Sequence, residues 1–403
     1  MRVVVCGAGI GGLTLAQALR TSCDVTVVER DDEAVSTGGY RLAINGAATA
    51  VLARSLGGDL MAEVRAVSDG ADRFAQFTVA TDRLRPLLIA PEEPDEDRLL
   101  AQRRALRLLL TRGLEDRILR STRVTRVEQS DGSAVVHLDS GEELAADLVV
   151  GAEGAKSPTV RAVTIRAPDS DLHLTGIAGS TPRTPGAVVP RFLRRGPALA
   201  FSADGTGMFL SLTSSGSGPL SPEIAEAVGS PSLVWGLIAP SSRVGPAPGR
   251  TPDDLVATAL RLTRHWHPWM AERIEAADRG RVAAFSFRAA DPARDFTPWR
   301  PRNITALGDA IHAMPPTGGQ AAATAIRDAG ELADNVLAHT RGELTLDEAL
   351  RRYHHSLRAW AVPALRESLG PVRVIRALGN PGVALLARPL LRIAGGLAPA
   401  RPR

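Results

Sequence analysis

The chain has 403 residues, enough for two or more domains that each bury a hydrophobic core. Its net charge is +4, but the basic residues are spread without a lysine-rich tract or interleaved aromatics, so nucleic-acid binding is not expected. Two cysteines, Cys6 and Cys23, give no sign of a disulfide framework. No apolar run approaches the roughly 20 residues of a membrane-spanning helix, and glycines interrupt the apolar N-terminus that could resemble a signal peptide. We therefore expect a cytoplasmic enzyme without stable membrane association.

A glycine-rich loop follows the first predicted strand. The β-branched run Arg2–Cys6 is typical of a buried parallel strand, and Leu13–Arg20 has a helix-forming composition. The residues between them fit the pattern G-x-G-x-x-G, with glycines at Gly7, Gly9, Gly11 and Gly12. Such a loop allows a tight turn and close approach of a pyrophosphate to the backbone, and the helix N-terminus offers N–H groups to the phosphates. The segment predicts a dinucleotide site.

A second predicted strand, Asp24–Val28, supports this interpretation. It ends at Glu29, about 20 residues after the loop, where a ribose-binding acid belongs. Arg30, directly after Glu29, and Arg41 are further candidate contacts to the cofactor.

A distal segment, residues 308–319, reads Gly-Asp-Ala-Ile-His-Ala-Met-Pro-Pro-Thr-Gly-Gly. A strand is expected just before it, over Asn303–Leu307, and a helix is expected to begin around Gln320. The two prolines favour a rigid extended backbone, and the two glycines let that backbone run close beneath a flat ring. Taken alone, the segment could also be a proline-glycine loop that joins a strand to a helix.

Four segments together resemble the single-component (group A) FAD-dependent aromatic hydroxylases, the para-hydroxybenzoate hydroxylase-like monooxygenases. The glycine loop with Glu29 is the first, and residues 308–319 are the fourth. The second is a helical stretch that opens at Arg103 and is similar to the family's R-x-x-L helix. The third, Asp147–Ser157, is similar to the family's D-G segment, which contributes to FAD and NAD(P)H binding.

The resemblance implies roles around an FAD cofactor. Arg103 would approach the pyrophosphate and ribityl region, and Asp309 would accept a hydrogen bond from a ribityl hydroxyl. The helix that follows would direct its N–H groups toward flavin N1 and the C2 carbonyl, where negative charge accumulates on reduction. The other cofactor contacts expected in this region are Pro316, Gly318, Gly319, Gln320 and Ala321.

The implied fold class is α/β. It combines a Rossmann-type, GR2-like FAD-binding domain with an antiparallel β-sheet substrate domain and C-terminal helices. The expected ranges are 1–70, 100–170 and 280–340 for a discontinuous FAD-binding domain, 71–99 and 171–279 for the substrate-binding sheet, and 341–403 for the C-terminal helical segment.

The C-terminal segment is expected to hold a helix over Leu346–Leu369 that kinks or breaks at Pro363. Residues 353–355 (Tyr-His-His) are expected to be packing or surface residues, since adjacent histidines point to different helix faces, and no metal site is predicted. The apolar tail Val383–Leu397 is expected to form a helix that caps the FAD-binding domain, with a membrane surface or a partner as the alternative.

The resemblance implies a monooxygenase reaction. NADPH or NADH reduces FAD, molecular oxygen adds at flavin C4a to give a hydroperoxide, and one oxygen atom enters an organic, polycyclic or secondary-metabolite substrate. Hydroxylation, epoxidation and Baeyer-Villiger oxidation stay open, as do a monomer and a homodimer. His312 is a candidate for proton transfer, although the family usually has histidine there for a structural reason. Candidate pocket residues are Phe209, Trp235, Phe287 and Met314.

Local departures from the family pattern keep other functions open. Glu153 replaces an aspartate and Lys156 an arginine of the D-G segment, while Ala321 and Ala323 stand where glycine and asparagine are common. These departures leave an FAD-scaffolded cyclase without net redox chemistry as the main alternative, and an FAD-binding regulatory protein as a further one. A flavin-dependent halogenase is disfavoured because the chain lacks the Trp-x-Trp-x-Ile-Pro motif.

Overall fold

The computed structural model describes residues 1–32, 41–130, 132–164, 168–184, 186–214, 216, 219–246, 249–300, 302–380 and 382–383. The strands in chain order are β1 (Arg2–Cys6), β2 (Asp24–Val28), β3 (Arg41–Ile44), β4 (Ser68–Asp69), β5 (Gln76–Thr81), β6 (Pro86–Pro91), β7 (Leu99–Gln102), β8 (Ile118–Leu119), β9 (Val124–Ser130), β10 (Ser133–Leu138), β11 (Glu143–Ala146), β12 (Leu148–Gly151), β13 (Asp169–Pro182), β14 (Ala198–Phe201), β15 (Gly207–Leu212), β16 (Ser232–Pro240), β17 (Ala283–Ala290) and β18 (Ile304–Ala306). The helices are α1 (Ile10–Leu19), α2 (Gly46–Leu56), α3 (Gly58–Ala66), α4 (Arg103–Thr111), α5 (Pro158–Val163), α6 (Pro222–Val228), α7 (Ser241–Val244), α8 (Pro252–Leu262), α9 (Pro268–Glu275), α10 (Asp309–His312), α11 (Ala321–Thr340), α12 (Leu346–Ser356) and α13 (Arg358–Leu378).

A five-stranded parallel sheet forms the centre of the half of the protein that carries the glycine loop, and its strand order is β18-β12-β1-β2-β8. Its strands are apolar on both faces because both faces are covered. Val3 and Val5 pack toward α1 and α11, whereas Val4 and Cys6 share a core with the small antiparallel sheet β11-β10-β9. The predicted strand–loop–helix order of the N-terminus is therefore confirmed.

A second, seven-stranded sheet has the order β17-β13-β16-β15-β14-β5-β6 and is antiparallel except between β14 and β5. Alternation sorts its side chains onto two faces. Met208 and Leu210 of β15 pack in the core beneath α8 and α9, whereas Phe209 points to the opposite face, which packs toward the parallel sheet. This sheet positions the substrate side of the molecule.

The sheet draws strands from both ends of the range expected for it. Its β5 and β6 lie within 71–99, as assigned, but β17 lies within 280–340, which was assigned to the FAD-binding domain. The reason is that β17 pairs along β13 and places Phe285 and Phe287 on the inner face of this sheet. The range 280–340 thus contributes to both sheets.

The C-terminal helices differ from the expected single helix with a break at Pro363. The chain turns at Leu357, which ends α12 and begins α13, and α13 continues through Pro363 and Pro371. Proline removes one backbone donor from a helix, but Pro363 lies on the exposed side, while Leu365 and neighbouring apolar residues hold the inner side in the core. The expectation for the tail lies outside the described residues beyond Val383.

Candidate functional site

The carboxyl ends of the parallel strands bring the predicted site residues to one edge of the sheet. The glycine loop follows β1, Glu29 follows β2, and Gly308 and Asp309 come directly after β18 and Leu307. Strand order reverses at β1, which has β2 on one side and β12 on the other. In open parallel sheets such a reversal point is where ligands bind.

Three glycines of the loop are required by the protein's own packing. Gly7 has φ of +109° and donates its N–H to the carbonyl of Val28 at 2.7 Å. A Cβ on Gly12 would lie 2.2 Å from the Gly7 carbonyl oxygen, and one on Gly11 would lie 2.7 Å from Leu307 Cδ1. A side chain at Gly12 would push α1 away from β1, one at Gly7 would meet the backbone after β12, and one at Gly11 would crowd α11.

Gly9 is different, because nothing in the protein requires a glycine there. Its backbone is extended, with φ of −75°, and a Cβ would meet only the Ala152 carbonyl oxygen at 3.9 Å. Helix α1 begins at the next residue with no side-chain cap and no acidic residue in its first turn. The first N–H groups of α1 and a bare backbone at Gly9 thus fit the pyrophosphate of a dinucleotide.

Glu29 is held in a buried ion pair that the sequence analysis missed. Its Oε2 accepts from the Ala8 N–H at 2.8 Å and lies 2.9 Å from a guanidinium nitrogen of Arg107, whose Nε donates to the Ala8 carbonyl. Arg107 lies one helical turn after Arg103 in α4, and that spacing was the available signal. The pair fixes the glycine loop, and a ribose contact by Glu29 stays a prediction.

Asp309 is the first residue of α10, shortly after β18, and lies within the electrostatic influence of Arg103. Burial raises the pKa of its carboxyl group, and the positive charges of His312 and Arg103 and a backbone hydrogen bond from Met314 oppose that rise. The side chain is surrounded by protein, yet it stays partly accessible from the cleft. A carboxylate in this position suits a hydroxyl donor, and the ribityl contact of Asp309 stays a prediction.

His312 is fully buried and bonded to Asp328 of α11. Its Nε2 lies 2.5 Å from Asp328 Oδ2, which also accepts from the Gly308 N–H, while the other oxygen accepts from Trp360 Nε1 at 2.8 Å. Burial lowers the pKa of His312, but the charge and hydrogen bond of Asp328 outweigh that effect and raise it. These contacts support a positioning role for His312, which holds the turn around Gly308; proton transfer stays an untested hypothesis.

The Pro-Thr-Gly-Gly turn is shaped by helix α13 as much as by a ligand. A Cβ on Gly318 would lie 2.5 Å from Ser368 Oγ and 2.8 Å from its Cα, and Thr317 Oγ1 donates to the Ser368 carbonyl. Gly319 has φ of +66°, and the Gln320 amide donates to Glu367 at 3.1 Å. Close approach to α13 therefore explains Gly318, and Pro316 stays exposed.

The two expected arginine contacts lie in different surroundings. Arg30 is exposed beside Glu29. Arg41 is buried, and its guanidinium bonds Asp69, the Leu212 carbonyl and, at 3.2 Å, Ser211 Oγ. Burial lowers the pKa of Arg41 to about 10 despite the nearby Asp69. Arg41 thus ties β3 to β15, and none of these contacts is directed to the cofactor loop.

The departures from the family pattern also separate. Helix α11 begins at Ala321, as predicted, but Ala323 is 1% exposed and lies in the core, because two residues along a helix reach nearly opposite faces. Only Ala321 stays open to the cleft. Glu153 folds back to accept from Ser157 Oγ and from the N–H of Thr159, so it caps α5.

The candidate pocket residues divide between two faces of the seven-stranded sheet. Phe209 is half-buried on the inner face and Phe287 is buried there, whereas Met314 is buried in the same core from the loop after α10. Trp235 is not in the pocket; its indole lies in the core on the other face and donates to Thr181 Oγ1 at 3.1 Å. Strand β16, which carries Trp235, is apolar on both faces, so its sequence does not indicate which side chains point to the inner face.

None of the helices in the described ranges is both long enough and apolar enough to cross a membrane. Of the two histidines of α12, His354 packs, with its Nε2 lying 2.9 Å from Thr305 Oγ1, and His355 is exposed. Tyr353 donates its hydroxyl to the Ala306 carbonyl at 2.9 Å.

Comparisons with known proteins agree with this geometry. The family described as "FAD binding domain" matches residues 1–215 and 262–368. The dual O-methyltransferase/FAD-dependent monooxygenase CTB3 of Cercospora beticola is 28% identical over 373 residues, which is 84% of this chain and 42% of the relative. The chloroplastic zeaxanthin epoxidase of Oryza sativa subsp. japonica is 27% identical over 82% of this chain and 48% of the relative. The chain thus spans less than half the length of these curated relatives.

Solved structures share the fold. Klebsiella pneumoniae HpxO, crystallised with FAD and uric acid, superposes with a TM-score of 0.72 at 19% identity over 99% of this chain and 96% of that chain. With the family match over most of the chain and a site that fits a dinucleotide, the chain belongs to the FAD-dependent, para-hydroxybenzoate hydroxylase-like monooxygenase family, whose cofactor is FAD.

Proposed function

We propose that this chain is a monooxygenase that inserts one oxygen atom into a small organic substrate at the expense of NADPH or NADH. The observation that carries the proposal is Gly9, whose bare backbone lies beside an uncapped helix N-terminus although the protein itself needs no glycine there. FAD, when bound, supplies the electron transfer and the activation of oxygen, so the chain needs no acid–base triad of its own.

The protein's residues bind, orient and exclude water. The N–H groups at the start of α1 would hold the pyrophosphate, and Asp309 would accept from the ribityl chain beside Arg103. The start of α11 at Ala321 would lie at the ring, where its uncapped N–H groups favour negative charge. The apolar inner face of the seven-stranded sheet covers the cleft and keeps water from the reaction.

The buried His312–Asp328–Trp360 network supports this arrangement from behind. It fixes Gly308 and therefore the carboxylate of Asp309, because Asp328 accepts from the Gly308 N–H at 2.9 Å. Hydroxylation and epoxidation both agree with such a site. A cytoplasmic location, the choice between NADPH and NADH, and a monomeric or homodimeric state stay predictions.

Labelled oxygen tests the proposal. Purified protein is supplied with NADPH, a candidate substrate and oxygen-18 gas, and the product mass is measured beside an anaerobic reaction without NADPH. A monooxygenase gives a product that carries one labelled atom and only forms aerobically. A product with the substrate's own mass, formed without oxygen and NADPH, would instead show an FAD-scaffolded cyclase.

A further inference from the structure

Two contacts join the seven-stranded sheet to the segments that carry candidate cofactor residues. On one side, the Ala290 N–H at the end of β17 donates to the Ala313 carbonyl at 2.8 Å. On the other, Arg41 of β3 bonds Ser211 and the Leu212 carbonyl at the end of β15. The strands between them, β13 and β16, therefore lie over the cleft.

The inner face carries no side chain at Gly236 of β16, which is partly exposed, and we call the space above this residue the hollow. On the same face, Gly176 of the neighbouring strand β13 is covered by an aromatic ring, since a Cβ there would lie 2.4 Å from Phe285. A Cβ on Gly236 would meet only ordinary contacts, Phe209 Cβ at 3.9 Å and Ala178 Cβ at 4.0 Å. Glycine weakens a strand interior, and one that no neighbour requires indicates close approach of another molecule.

The height of the cleft is set by α13. Ser368 touches Gly318 on the loop, and Ile375 Cδ1 would lie 3.0 Å from a Cβ on Gly207 of the sheet. The seven residues from Ser368 to Ile375 span about 10 Å along the helix. At that distance, the space between two packed layers is filled by side chains from both layers. Where Gly236 has no side chain, that layer is left for a flat molecule.

The rim of the hollow is aromatic. Phe209 and Phe285 are half-buried on either side of Gly236, and the Phe285 ring stacks on Phe287 with centroids 5.5 Å apart. Phe209 on β15 and the ring over β13 are two strand spacings apart, about 10 Å, which is wider than one benzene ring needs. Aromatic walls favour flat conjugated molecules.

The charged side chains beside this face are already paired. Arg41 bonds Asp69 and is 5% exposed, and Arg288 bonds Asp169 and is 19% exposed. A carboxylate ligand that enters here would lose its hydration. To gain a cationic partner it would have to displace the acid that already pairs with one of these arginines, which is costly. At these two positions no free cation is offered to a carboxylate, and the aromatic side chains are the contacts that the inner face provides.

We propose that Gly236 lies in the roof of the substrate site and determines substrate size, and that this site takes a flat, uncharged molecule of several fused rings. The inference rests on the proposed function for the identity of the site, but it concerns binding alone. Its test can therefore succeed or fail independently of oxygen insertion.

The test measures binding to the FAD-loaded protein without NADPH, through the absorbance change of the bound flavin. The probes are 1,8-dihydroxyanthraquinone, a neutral tricycle, and 4-hydroxybenzoate, a single-ring anion. The variants are Gly236→Leu, which fills the hollow, and Gly236→Ala, which the measured distances accommodate. Gly58→Leu is the matched control, because a Cβ at Gly58 meets nothing within 4 Å and the residue is exposed at the start of α3.

We expect the tricycle to bind wild type more tightly than 4-hydroxybenzoate. Gly236→Leu should weaken the tricycle at least tenfold and Gly236→Ala about threefold, with unchanged FAD content, while Gly58→Leu binds like wild type. Tighter binding of the anion overturns the substrate class. If FAD-loaded Gly236→Leu binds the tricycle as tightly as wild type, Gly236 does not border the substrate site. If that variant loses FAD, the same conclusion follows from wild-type affinity in Gly236→Ala. Absence of labelled product would affect only the proposed function.

Discussion

At the scale of single residues, the most informative side chain is a fully buried histidine that is paired with a carboxylate. His312 shares Asp328 with Gly308 and Trp360, and it has no exposed surface. Because Asp328 raises the pKa of His312 above its ordinary value near 6.5, the folded state favours the protonated ring. The stability from this pair is therefore full below pH 6.5 and is lost as the pH rises through the raised pKa of the folded state.

The substitution His312→Gln tests this assignment. It should lower the free energy of unfolding by about 3 kcal/mol at pH 6, because the buried carboxylate of Asp328 loses its cationic partner. The difference from wild type should shrink as the pH rises above the histidine pKa. Urea unfolding of the FAD-loaded protein at several pH values measures it, with exposed His355→Gln as the control. A pH-independent difference would contradict a charged His312.

At the scale of elements, helix α13 is part of the cofactor cleft. It presses Ser368 against Gly318 and Ile375 against Gly207, so one helix touches both the loop and the sheet. Sequence analysis assigned Gly318 to the flavin ring, because a glycine in a loop shows no sign of which neighbour requires it. The contact comes from a helix some 50 residues later, which local patterns do not reveal.

Gly318→Ala measures this contact. The new methyl group would meet Ser368 Oγ at 2.5 Å and Cα at 2.8 Å, so helix or loop must shift, at about 1–3 kcal/mol of stability. Adding Ser368→Ala should restore only part of the loss, since the Cα remains. Gly370→Ala in the same helix, where a Cβ meets nothing within 4 Å, should not destabilise the protein. Equal melting temperatures of Gly318→Ala and wild type would disprove the close packing.

Element types in the cofactor half were predictable, whereas strand phase was not. The glycine loop, the acid after β2 and the start of α11 follow local rules of turns and helix ends. The prediction that Trp235 lines the pocket was wrong because β16 is apolar on both faces, and a shift of one residue turns a side chain to the other face. Sequence analysis missed Arg107 because its role depends on the ion pair with Glu29, which is distant in sequence and lies beside it only in the folded protein.

At the scale of the whole molecule, two sheets meet over a cleft whose floor is built from distant segments. The parallel sheet brings the glycine loop, Glu29 and Asp309 to one edge, and the seven-stranded sheet covers that edge. The family match gives the class of chemistry, and the geometry supports our proposal for how the chain would hold FAD. The central claim is that the FAD pyrophosphate lies against the backbone of Gly9.

The most direct test compares Gly9→Ala with Gly12→Ala by FAD titration and by unfolding of the FAD-free protein. Gly9→Ala should leave the unfolding of FAD-free protein unchanged, because its methyl group meets only Ala152 at 3.9 Å, but it should weaken FAD at least tenfold, about 1.4 kcal/mol. Gly12→Ala should destabilise even the FAD-free protein, since its methyl group would lie 2.2 Å from Gly7. Wild-type FAD affinity in Gly9→Ala, or release of only FMN from purified wild type, would contradict the account.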